Sequence, residues 1–267
     1  MRVNVLGIGL VAPGIPDWQS GAAILRGERD YVPAELGRYV VDLLPANERR
    51  RLTPTIRLAL QAATDATAGR PELRAQAASV FVSESGDLAI AERMCRALTH
   101  PARTISPVDF HNSVHNAPSG YWAIASRCQA PSTSLSLTDA NLAIGLLEAA
   151  MQSLVGDCPA LLVAYELPPP ADLAWPGCPS MPFACALLVQ AGERQPGHPC
   201  LELRPIDSHG PSVPDSLSFD DPALQALSRD SAAARALPLL ARLARNDGGS
   251  ECLLLSYNAV LEANVIV

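Results

Sequence analysis

The sequence predicts an α/β protein built in layers. Short strands rich in Val, Leu and Ala alternate with helical stretches along the 267 residues, which is the pattern of helices packed on a sheet. The chain is 48% hydrophobic and only 18% charged, so a large core is available to it. One helical stretch, residues 139–154, is apolar almost all round, as a helix enclosed by other layers is. With 4% aromatic residues, that core must be Leu, Ala and Val.

The elements follow in order. Val3 to Leu10 reads as a buried strand, ending near Gly7, Gly9 and Pro13-Gly14. Its Gly-Ile-Gly is followed by Leu-Val-Ala, so it does not make the dinucleotide fingerprint. Trp18 to Leu25 is a short helix. Pro45 to Ala68 is a longer one with Leu52, Ile56, Ala59, Leu60 and Ala63 on one stripe, and Thr53-Pro54 breaks its first turn. Ala78 to Val82 is a strand, and Asp87 caps a helix running to Leu98. The second half of Phe110 to Ser126 is helical. Thr133 to Leu137 alternates as a strand, and the apolar helix Asp139 to Leu154 follows it. Ala160 to Tyr165 is a strand, and Pro168 to Pro182 is a proline-rich loop. Phe183 to Gln190 and Cys200 to Ile206 read as a strand pair, and Ser208 to Asp221 reads as a loop. Ala223 to Ala244 is helical with an interruption at Pro238. Glu251 to Tyr257 and Leu261 to Val267 close the chain as strands joined near Asn258. No repeat and no strong boundary divides the chain, so one domain over 1–267 is expected.

Composition removes several functions. All 20 cationic side chains are arginine, against 27 acidic ones, for a net charge of -7. Without lysine there is no Schiff base, no pyridoxal-phosphate chemistry and no Walker-A site. A GC-rich coding sequence explains the Arg, Ala and Pro bias without any function. The negative charge argues against nucleic acid as a partner. Arg49-Arg50-Arg51, balanced by Glu48 and Asp42, reads as a solvated helix start. The first residues lack the long apolar stretch of a signal peptide, and no run approaches the ~18 apolar residues of a membrane span. Seven cysteines without regular spacing suit reduced, cytoplasmic thiols.

Individual motifs carry little chemistry on their own. His111 and His115 stand four apart, a spacing able to share one helical face, but no further metal ligands accompany them. Hydrogen-bonded histidines at a loop or helix start are the plainer reading. Ser83-Glu84-Ser85-Gly86 is not a nucleophile elbow. Cys128 and Cys158 follow helical stretches, whereas helix N-termini are where thiols gain acidity. Asp139 stands at the turn into the apolar helix, where a capping role would contribute about 0.5–2 kcal/mol. No metal or cofactor is expected.

Three segments together resemble a known family. Val5-Leu-Gly-Ile-Gly-Leu-Val-Ala-Pro-Gly, the string FHNSVHNAPSGYWAIA from Phe110, and APSTSLSLTDAN from Ala130 are similar to the N-terminal half of β-ketoacyl-acyl-carrier-protein synthases. The resemblance covers residues 3 to about 165. It implies a thiolase-like (condensing-enzyme) fold, layered αβα with a mixed central sheet. It also exposes departures. Asp139 falls where the family's active cysteine stands, Thr138 falls on the small residue before it, and Ala140 and Asn141 fall on the serines after it. Nothing after Ile206 resembles the half that supplies the decarboxylating histidines, and neither His198 nor His209 sits in a matching motif.

The resemblance therefore implies a noncatalytic subunit of chain-length-factor type, as in aryl polyene or xanthomonadin-type assembly. Its expected partners are an active ketosynthase, in a heterodimer, and an acyl carrier protein. By the same resemblance Thr133, Leu135 and Leu137 would sit at the dimer edge. His111, Asn112, Val114, His115, Asn116 and Tyr121 would reach toward the partner's acyl tunnel, with an ordinary helix start as the alternative. Two rivals stand beside this reading: an acyl hydrolase or decarboxylase using Asp139, and a scaffold that binds an acyl carrier.

Overall fold

The computed structural model describes residues 1–138, 140–207, 216–256 and 259–266. Eight strands form one sheet: β1 (Arg2–Val11), β2 (Ala78–Val82), β3 (Ser132–Leu135), β4 (Ala160–Glu166), β5 (Phe183–Ala191), β6 (Cys200–Asp207), β7 (Gly249–Ser256) and β8 (Ala259–Ile266), in the order β3-β2-β4-β5-β1-β6-β8-β7. The sheet is mixed. β3, β2 and β4 run parallel, and the remaining pairs are antiparallel. The strand pair expected from Phe183 and Cys200 does not form, because β1 lies between them. Val3 faces Ala191 of β5 on one side and Leu201 of β6 on the other. The buried Asn4 makes this arrangement possible. Its amide donates to the Glu193 carbonyl (2.9 Å) and accepts from the Gln195 N–H (2.8 Å), so the connecting loop is clasped across the strand.

The helices are α1 (Trp18–Leu25), α2 (Ala46–Arg51), α3 (Pro54–Ala66), α4 (Pro71–Gln76), α5 (Leu88–Thr99), α6 (Pro107–Asn112), α7 (Ala117–Ser126), α8 (Asn141–Gly156), α9 (Pro222–Asp230) and α10 (Leu237–Arg245). The stretch expected as one helix from Pro45 to Ala68 is two, α2 and α3. The Thr53 hydroxyl accepts from Ile56 N–H to start α3, and Pro54 fills its first position, where a missing N–H costs nothing. The C-terminal helical stretch is also interrupted, but at Ser231 rather than Pro238. A 3₁₀ turn (Ala234–Ala236) links α9 to α10, and Pro238 lies in the first turn of α10. Asp87 caps α5 through Ile90 N–H as expected.

Two apolar layers enclose the sheet. α8, α1, α9 and α10 bury Leu142, Leu146, Leu237 and Leu240 against Val80, Val82, Leu162 and Leu187. α3 and α7 bury Ile56, Ala59, Ala63 and Trp122 against Phe81, Leu161, Val163 and Leu188. The Gly-Ile-Gly of β1 is explained by the second layer. A Cβ on Gly7 would strike the Ala66 carbonyl, and one on Gly9 the Ala62 carbonyl, so the glycines let α3 lie directly on the strand. Asp65 of α3 adds a polar tie by accepting from the N–H groups of Leu10 (3.1 Å) and Trp18 (2.6 Å).

Candidate functional site

The three parallel strands end together, Val82 of β2 lying beside Leu135 of β3 and Ala164 of β4. Ligand sites of open α/β sheets form at such carboxyl ends. Here the loop after β2, the turn after β3 and the last residue of β4 meet. Glu166 is almost fully buried. It accepts from the Ser83 hydroxyl (3.3 Å) and from the Glu84 N–H, and the Ser85 N–H also favours its charged form. Burial outweighs these donors and pushes its carboxyl up to about 7. Ser83 Oγ in turn accepts from Gly86 N–H (2.9 Å), and the Ser136 hydroxyl donates to the Glu84 carbonyl (2.8 Å). Asn141, in the first turn of α8, accepts from Leu137 N–H (2.7 Å) through Oδ1.

Asp139 lies outside the described residues, while the candidate partner-contact residues each have a definite place. His115 holds Nε2 at 3.0 Å from the Leu135 carbonyl. His111 packs edge-on against Tyr121, with ring centroids 6.2 Å apart. α6 ends at Asn112, so the two histidines do not share a helical face. Among the described residues no group of His, Cys, Asp or Glu is arranged to hold a metal. Asn112 is buried and serves the fold, donating to the Arg51 carbonyl (2.8 Å) and accepting from the Tyr121 hydroxyl (3.1 Å). Val114 and Asn116 are exposed, and Asn116 precedes α7 without a side-chain cap bond. Thr133 accepts from Gln152 (2.7 Å) of α8. The strand expected over Thr133 to Leu137 stops at Leu135, so Leu137 lies two residues beyond it and is exposed. His209 lies outside the described residues, as do Tyr257 and Asn258.

β3 is one edge of the sheet, β7 being the other. Its odd residues bond inward, as Ser79 N–H to the Pro131 carbonyl and Ser83 N–H to the Leu135 carbonyl indicate, so Ser132 and Ser134 turn their backbone groups outward. The helices on either side of this edge carry apolar surface. Ile124 of α7 and Met151 and Leu154 of α8 are about half exposed, and Val155 of α8 is 80% exposed. α8 is thus buried on one side only, whereas its composition suggested burial all round.

A second concave surface was not visible in the sequence. Leu36, Leu52, Leu58 and Leu167 floor a cavity of about 520 Å³ ringed by Arg38, Arg50 and Arg57. Arg49 pairs with Asp42 and Arg51 with Glu48, as their balanced charges suggested, but Arg50 is not part of that balance. Among the described residues, none of the three ringing guanidiniums pairs with a carboxylate. Burial and the neighbouring Arg38 lower the pKa of Arg57, which donates to the carbonyls of Arg49 and Tyr39. Charges so far apart in sequence (38, 50 and 57) converge only through the α2–α3 corner. Glu166 had one available signal, as the lone acid closing an otherwise apolar strand.

Solved structures share this architecture. A chain from the complex of a ketosynthase with its chain length factor from Xenorhabdus doucetiae superimposes with a TM-score of 0.68 at 22% identity, covering 99% of each chain. A chain of the ishigamide ketosynthase/chain length factor gives 0.74 at 15% identity, again over 99% of each. A chain from a type II polyketide synthase acyl-carrier protein in complex with its ketosynthase gives 0.71 at 12% identity and the same coverage. The fold is therefore the mixed α/β, thiolase-like fold of the ketosynthases, as expected. The sequence pattern of the β-ketoacyl synthase N-terminal domain matches residues 18–247, and the chain belongs to that family. No curated protein matches the chain by sequence.

Proposed function

We propose that the chain is a noncatalytic ketosynthase-like subunit of chain-length-factor type. It pairs with an active ketosynthase and helps shape that partner's acyl tunnel during polyene or polyketide assembly. The observation that carries this reading is the open edge of β3, flanked by the apolar residues Ile124, Met151, Leu154 and Val155. An unpaired edge with apolar shoulders is a surface for strand addition. Beside it, the turn Ser-Leu-Thr-Asp-Ala-Asn from Ser136 has no thiol to accept an acyl chain. Glu166 and His115 are both committed to holding loops, which suits a frame better than a reaction centre. The complexes formed by similar chains support the pairing.

The arginine-ringed cavity supports an acyl carrier protein as the second partner. Three guanidiniums without carboxylates suit the phosphate that links a carrier to its arm. We read residues 1–267 as a single domain, since the eight strands among the described residues join one sheet. We place the protein in the cytoplasm, where its seven free thiols stay reduced. No helix among the described residues is long and apolar enough to cross a membrane.

Co-expression with an intact-cysteine ketosynthase tests the reading. A stable 1:1 complex whose condensing activity is lost when this chain is withheld supports it. An activity of the isolated chain that Asp139→Ala removes would overturn it in favour of a hydrolase or decarboxylase. Product lengths unchanged by Leu137→Trp in an intact complex would leave only a scaffold.

A further inference from the structure

Behind the loop after β2 lies a small chamber of about 140 Å³. Thr55 and Ile56 of α3, the loop Ser85 to Asp87, the segment Asn112 to Pro118 and Tyr165 of β4 enclose it. Two residues of its wall each carry a polar atom that is buried without a hydrogen-bond partner. One is the hydroxyl of Tyr165, a residue with 0% exposure, and the other is Oδ2 of Asp87. Asp87 uses its other oxygen to cap α5. Each such orphan costs about 1–3 kcal/mol, and native folds rarely leave two in one place.

A third group faces the same space. His115 Nε2 engages the Leu135 carbonyl and must carry a proton to do so, which in the neutral ring leaves Nδ1 as an acceptor. A Cβ on Gly86 would sit 3.1 Å from that Nδ1, so the glycine keeps the approach to the nitrogen clear. Of the other polar side chains nearby, the hydroxyls of Thr55 and Ser85 can each donate or accept, and two are already engaged. The Asn112 amide is held by Arg51 and Tyr121, and the Ser113 hydroxyl donates to the Phe110 carbonyl.

The three groups Asp87 Oδ2, His115 Nδ1 and the Tyr165 hydroxyl thus offer two acceptors and one donor. We propose that it is a binding site for a primary carboxamide, whose NH₂ donates to Asp87 Oδ2 and His115 Nδ1 and whose carbonyl accepts from the Tyr165 hydroxyl. A primary ammonium group satisfies the acceptors but leaves the Tyr165 hydrogen unpaired. A tertiary amide satisfies the tyrosine and leaves both acceptors empty. The inference does not depend on the pairing reading above, because each of these residues belongs to this chain.

The test uses the isolated full chain and acetamide as probe. Saturable shifts of the His115 imidazole NMR signals are expected, together with a crystal structure placing the amide nitrogen within hydrogen-bond distance of Asp87 Oδ2 and the oxygen on Tyr165. N,N-dimethylacetamide and methylammonium should bind at least tenfold more weakly. Tyr165→Phe and Asp87→Asn should each weaken acetamide at least fivefold, and the latter keeps a good helix cap should the former fold poorly. A chamber holding only water at saturating acetamide overturns the proposal, as does equal binding of either control. Repeating the titration on a complex with a ketosynthase separates two sources of the amide. Retained binding points to a free small amide, and lost binding to an Asn or Gln side chain of the partner.

Discussion

The carbonyl oxygen of Leu135 accepts two hydrogen bonds, from His115 Nε2 at 3.0 Å and from Ser83 N–H at 3.3 Å. The last residue of the edge strand is thereby fixed by the α6–α7 segment as well as by β2. An edge held in place loses less freedom when a partner strand adds to it. Replacing His115 by Ala removes one bond of about 0.5–1.5 kcal/mol. The expected result is a several-fold weaker affinity for the partner ketosynthase, measured by surface plasmon resonance. His115→Gln, which keeps a donor, should recover part of it.

The apolar shoulder of α8 gives a sharper expectation. Met151, Leu154 and Val155 make little of the chain's own core, since each is about half exposed or more. Val155→Arg combined with Met151→Glu should change the melting temperature of the isolated chain by no more than 2 °C or so, because exposed substitutions usually lie within about 0.5 kcal/mol. The same pair of changes should abolish the 1:1 complex on light scattering. A complex that survives them would place the interface elsewhere.

Close packing of α3 on β1 predicts an intolerant glycine. A Cβ on Gly9 meets the Ala62 carbonyl and backbone atoms of Ala66, none of which can rotate away. Gly9→Ala should therefore lower stability by about 1–3 kcal/mol or more, as overpacking does. Gly37→Ala, with open space around its Cβ, serves as the control. Urea unfolding of the two variants makes the comparison.

These glycines also show which parts of the molecule can be read from sequence. Local signals sufficed where one element decides its own fate: Trp18 to Leu25, Ala78 to Val82 and the Asp87 cap all stand where pattern and capping chemistry place them. Gly7 and Gly9 were visible as exceptions, but their cause is the helix lying across them. The pairing of β5 with β1 rather than β6 depends on Asn4 clasping a loop some 190 residues away, which no window of sequence contains. The candidate site divides the same way. The cysteine-less turn was legible from the resemblance, whereas the orphaned Tyr165 hydroxyl and the three converging arginines exist only in three dimensions.

The arginine ring predicts salt-sensitive carrier binding. Arg38 and Arg50 are exposed, so their removal should leave the fold intact, whereas Arg57 also ties down two carbonyls. Arg38→Ala with Arg50→Ala should weaken binding of a phosphopantetheinylated carrier about tenfold at low ionic strength. The difference from wild type should shrink as salt rises, because exposed charges are screened over about 8–10 Å. Isothermal titration at two salt concentrations reads both effects. Equal affinity of the variant and the wild type would remove this cavity from the carrier's path.

Glu166 predicts an unusual dependence of stability on pH. Its carboxyl ordinarily titrates at 4.5 and is raised to about 7 here, chiefly by burial. The folded state therefore binds the proton more tightly than the unfolded one. The resulting stabilisation is fully present below pH 4.5 and is lost as pH rises through about 7, with a slope of at most about 1.4 kcal/mol per pH unit. Asp65, raised from 3.8 to about 6 by burial, acts in the same direction over a lower window. In Glu166→Gln the side chain cannot ionise, and its amide oxygen still accepts from the Glu84 N–H. Unfolding in urea at pH 5 and pH 8 should find the variant gaining on wild type as pH rises, by up to a few kcal/mol across that interval. A constant difference between the two proteins would mean that Ser83, Glu84 and Ser85 hold the carboxylate ionised throughout, with burial the weaker influence.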